Sequence, residues 1–88
     1  MNAEAARAAL DRLIAEPRPC TMDKGRDAFL TIAAWRDALI LRRHAGDAVE
    51  AELLRANTAL SLTWSAVLPV AGFRPGRLEK ARAILDDA

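Results

Sequence analysis

Apolar residues recur along this chain at the three- and four-residue spacing of an α-helix, in four separated stretches. The first covers about 3–16. Ala6, Leu10, Leu13 and Ile14 share one face, Asn2 supplies a capping side chain, Glu4 suits the positive end of the dipole, and Pro17 stops the helix. The link Pro17–Thr21 holds two prolines, each of which pushes the residue before it towards extended geometry. The second stretch, about 22–45, carries a seam of Ala28, Ile32, Trp35 and Leu39, widened by Phe29, Ala33 and Ile40. Asp23 lies near its start. Arg42, Arg43 and His44 lie near its end, where cations complement the dipole, and Gly46 follows as a natural C-terminal stop.

Asp47-Ala48-Val49-Glu50 then reads as a capping box, with Asp47 as N-cap and Glu50 three positions on. The spacing predicts a third helix over 47–68, joined to the second so tightly that the two must lie antiparallel. Each exceeds twenty residues and spans roughly 30–35 Å. Folding the hairpin about Gly46 sets Trp35 opposite Ala56 and Asn57, and Trp64 opposite Ala28, so that each large ring meets small residues. The expected packing core of the hairpin is Ile32, Trp35, Leu39, Leu53, Leu60 and Trp64.

After an apolar link, Pro69–Arg74, Pro75 is placed to be the first residue of a last helix, 75–86. Leu78, Ala81 and Leu85 form its stripe; Asp86 and Asp87 oppose the dipole there, so its end should fray. No stretch alternates with period two. The expected fold is all-α: one domain, 1–88, with a long central antiparallel helical hairpin and two shorter flanking helices.

Composition adds an excess to this picture. Apolar residues make up 52% of the chain, and twenty of the 88 residues are alanine. A domain of this length buries only about 60–65% of its unfolded surface. Both hairpin helices carry second apolar zones: Leu30, Ala34, Ala38 and Leu41 on one, Ala59, Leu62 and Ala66 on the other. The flanking helices, with single stripes, cover one side. The other side is expected to meet a second copy, which makes a homodimer the favoured state, with a different protein as the other candidate partner.

Charge and chemistry narrow the function without naming it. The net charge of +1 carries no general basic excess of the kind nucleic-acid binders show. Arg74, Arg77, Lys80 and Arg82 do cluster around the start of the last helix, where helix N-termini and arginine forks favour anions. A small regulator binding nucleic acid through Arg74–Arg82 is therefore the alternative reading. Glu79 and two following aspartates count against it. His44 is the one histidine and Cys20 the one cysteine, at opposite ends of the second helix, so neither finds a metal or nucleophile partner. His44 reads as a dipole-complementing residue and Cys20 as a reduced thiol. Asp23 and Asp27 read as solvated surface. No catalytic, cofactor or metal residue is expected. Residues 56–73 carry no charge, but Asn57, Thr58, Ser61, Thr63, Ser65 and Pro69 break the run as a membrane span. With no basic n-region and apolar h-region, the expected location is cytoplasmic. The function these features favour is a non-enzymatic interaction module that self-associates through the hairpin.

Overall fold

Four α-helices make up nearly all of the computed structural model, which describes residues 3–15, 22–67 and 75–86. They are α1 (Ala3–Ala15), α2 (Met22–His44), α3 (Glu50–Val67) and α4 (Pro75–Asp86), with no strand among the described residues. The chain is all-α, with the long hairpin, α2–α3, at its centre. The capping role of Asn2, the Pro17–Thr21 link with Cys20, and the Pro69–Arg74 connection with Phe73 and Arg74 all lie outside the described residues.

The helices pack as a ring. The backbones of α1 and α2, α2 and α3, α3 and α4, and α1 and α4 run side by side, whereas among the described residues the diagonal pairs bring no Cα atoms within 8 Å of each other. Each helix turns one stripe to the centre: Ala6, Leu10 and Leu13 from α1; Ala28, Ile32, Trp35 and Leu39 from α2; Leu53, Ala56, Leu60 and Thr63 from α3; Leu78, Ala81 and Leu85 from α4. The i, i+3, i+4, i+7 spacing is what brings these residues to one side of each helix. Ala6, Ala56, Ala59, Ala66 and Ala81 are fully buried, and their small side chains let neighbouring backbones approach. A buried leucine such as Leu10 or Leu85 stabilises the fold by about 1.5–3 kcal/mol through area removed from water.

The hairpin tip differs from the capping box that the sequence suggests. Gly46 adopts φ +101°, and its N–H donates to the Arg43 carbonyl at 3.0 Å, while the Asp47 N–H donates to the Arg42 carbonyl at 3.0 Å. These two bonds satisfy carbonyls that the end of α2 would otherwise leave open, in the pattern known as a Schellman motif. Asp47 thus closes α2 and does not open α3. Its carboxylate pairs with Arg42 Nε at 3.3 Å. α3 starts three residues later than the predicted 47, and the Leu53 N–H to Val49 carbonyl bond, 2.8 Å, marks its first turn. With 18 residues it is shorter than the twenty or more expected, about 27 Å at 1.5 Å per residue.

At the far end of α4 the unfavourable aspartate is answered from within the helix, and α1 supplies a donor to the last carbonyls. Arg7 Nη1 donates to the Leu85 carbonyl at 3.0 Å, and Arg82 pairs with Asp86 one turn along. The helix accordingly continues to Asp86.

Candidate functional site: the outer face of the hairpin

α1 and α4 cover one side of the α2–α3 hairpin and touch each other beneath it. Every exposed large apolar side chain among the described residues stands on the hairpin helices: Leu30 and Leu41 on α2, Leu54 and Trp64 on α3, exposed by 51%, 71%, 68% and 40%. Helix geometry explains the placement. Leu30, Leu41 and Leu54 are each two positions from a core residue (Ile32, Leu39 and Ala56), which puts them about 200° away round the helix. Leu30 and Leu41, eleven positions apart, line up within about 20° of each other, three turns apart on α2.

Of the expected packing residues, Ile32, Trp35, Leu39, Leu53 and Leu60 are buried. Trp64 is not, and its assignment to the core is corrected. It stands at the edge of the α2–α3 seam and packs on Phe29, ring centroids 5.0 Å apart and planes tilted by 50°. Such a tilted aromatic pair is worth about 0.5–1.5 kcal/mol beyond its area. Ala28, the expected facing residue, is Phe29's neighbour, and the ring has turned one position outward from it.

Phe29, Leu30 and Trp64, with Asp23 and Arg26, line a pocket of about 350 Å³ at the open end of the hairpin. Asp23 and Arg26 are exposed at its rim and form no ion pair with another described residue. The combination is two aromatic rings with a half-exposed leucine at the edge, and one acid and one base beside it. Leu54 was not distinguished by sequence reasoning. It lies in the strip that Glu50, Thr58, Ser61 and Ser65 mark as weakly polar, and one leucine among them gives no local signal.

The basic cluster is split by the fold. Arg82 Nε donates to Asp11 of α1 at 2.7 Å, and a second guanidinium nitrogen pairs with Asp86. The hydrogen bond to Asp11 first, then that to Asp86, raise the Arg82 pKa above its ordinary value. Arg77 and Arg82, five positions apart, point about 140° away from each other, so they flank the buried stripe of α4 on opposite sides. Only Arg77 and Lys80, three positions apart, share a flank; Arg74 lies outside the described residues.

His44 is exposed in the last turn of α2, and no group of His, Cys, Asp or Glu among the described residues could hold a metal. Asp23 and Asp27 are exposed. Among the described residues no helix is long and apolar enough to cross a membrane. No protein-family model matches the chain, and comparison with curated proteins and with solved structures gives no match.

Proposed function

We propose that this chain is a non-enzymatic helical assembly module that self-associates through the outer face of its α2–α3 hairpin. The observation that carries this reading is the distribution of Leu30, Leu41, Leu54 and Trp64: all four are exposed, and all four stand on the hairpin helices. Scattered single leucines are ordinary on a protein surface, whereas apolar residues gathered on one face are typical of an interaction site. A domain this small also gains most from extending its core through a second copy. Each of the four side chains would gain on the order of 1–2 kcal/mol by covering the surface it still exposes. Association costs about 4–15 kcal/mol, comparable to the roughly 8–16 kcal/mol that these side chains would contribute from both copies, so the dimer should be reversible.

Sedimentation equilibrium across the micromolar range tests the reading. The expected result is a reversible dimer that Leu54→Lys shifts towards monomer, with an unchanged far-UV spectrum. A monomer throughout that range sinks it.

A further inference from the structure

The pocket at the open end of the hairpin has a self-complementary rim, and we infer that it is the seat of the two-fold contact, with the Leu30 side chain of each copy entering the Phe29–Trp64 pocket of the other. This rests on the self-association reading above and specifies where the axis lies. The occupant is a second copy of this chain because the patch supplies both halves of its own match. Leu30 is half exposed at the rim, and the pocket of about 350 Å³ has room for an aliphatic side chain beside the two rings. Asp23 and Arg26 bring opposite charges to that same rim, and neither is paired with another described residue. A two-fold axis running along α2, which keeps the two copies of that helix near parallel, would let each acid reach the other copy's base three positions along, giving two crossed Asp23–Arg26 pairs beside an apolar centre. A two-fold interface requires this kind of self-matching surface. A patch of a single charge would repel its own copy, and opposed like charges across an interface are strongly disfavoured.

The test is charge reversal in the full chain, read by sedimentation equilibrium. Asp23→Arg and Arg26→Asp each place like charges against each other twice, and each alone should weaken the dimer by at least about tenfold. Mixed together, the two variants regain both crossed pairs, as a heterodimer at least as tight as the wild type. The double variant, carrying both reversals, should likewise recover the wild-type dissociation constant. Both positions are exposed, so far-UV spectra should be unchanged, and recovery on mixing rules out damage to the fold. A wild-type dimer whose affinity neither reversal alters overturns this placement of the axis while leaving self-association standing. A wild-type monomer overturns both; a monomer that also takes up a small apolar dye, with the uptake lost in Leu30→Asp, assigns the pocket to a small-molecule occupant.

Discussion

Thr63 is fully buried in the last third of α3, and its hydroxyl has no hydrogen-bond partner among the described residues. Its neighbours in type behave differently. Thr31 donates to the Asp27 carbonyl and Thr58 to the Leu54 carbonyl, each at 2.9 Å, the usual way a helical threonine satisfies itself. Thr63 leaves its oxygen among apolar side chains, where an unpaired hydroxyl costs about 1–3 kcal/mol of desolvation. Replacing it with valine keeps the shape, replaces the hydroxyl with a methyl and leaves helix propensity nearly unchanged. Thr63→Val should therefore stabilise the protein by about 1–2 kcal/mol. For a chain of this size each kcal/mol raises the melting temperature by about 4–8 °C. Urea unfolding followed at 222 nm measures the effect, with an unchanged m-value showing that the denatured state is the same. Thr63→Ser is the counterpart: it keeps the unpaired oxygen and loses the methyl, and should cost about 1 kcal/mol. If Thr63→Val instead lowers stability, the hydroxyl has a partner in solution and the reasoning fails.

At the hairpin tip, Gly46 has φ +101° with open space where a Cβ would stand, so the cost of a side chain there is one of backbone conformation alone. Gly46→Ala should lose about 1–2 kcal/mol, and Gly46→Asn less; equal stability of all three in urea would contradict the left-handed geometry. The two tryptophans should separate in acrylamide quenching, since Trp35 is 3% exposed and Trp64 40%. Trp64→Phe should abolish the readily quenched component in dilute monomeric protein, and its survival would put the exposed ring at Trp35. Arg82 has a raised pKa, so its contribution is complete below arginine's ordinary value and is lost only as pH rises through the still higher folded value. The cost of Arg82→Met, below about 1 kcal/mol for so exposed a pair, should thus be the same at neutral pH and at mildly alkaline pH; a cost that disappears between them would refute the assignment.

The sequence carries the faces of the helices well and their neighbours poorly. Periodicity alone separates Ile32, Trp35 and Leu39 from Arg26 and Asp37, because burial follows the helical repeat. It does not say on which side of a broad apolar face the neighbouring helix lies, and this is how Trp64 comes to look like core. Asp47 shows a second kind of limit. The same residue suits the N-cap of α3 and the closing turn of α2, and the positive φ of Gly46 commits it to α2. Arg82 shows a third. Its charge and its neighbours in sequence suggest an anion site, but Asp11, 71 positions away, already occupies it. Thr63 reads in the sequence as one of the polar residues that interrupt an uncharged run, and its burial comes from tertiary packing that the run does not reveal.

The ring of helices also has a temporal side. Three of its four contacts join helices consecutive along the chain, and only the α1–α4 seam joins distant ones. Contacts between consecutive helices close short loops at small entropic cost and should form early, whereas the α1–α4 seam must wait until the rest has brought its halves together. Interactions made late contribute little to the transition state and mainly slow its reverse. The Arg7–Leu85 and Arg82–Asp11 bonds that span this seam would then act as a latch on lifetime: weakening them should leave the refolding rate nearly unchanged and let the native state open faster.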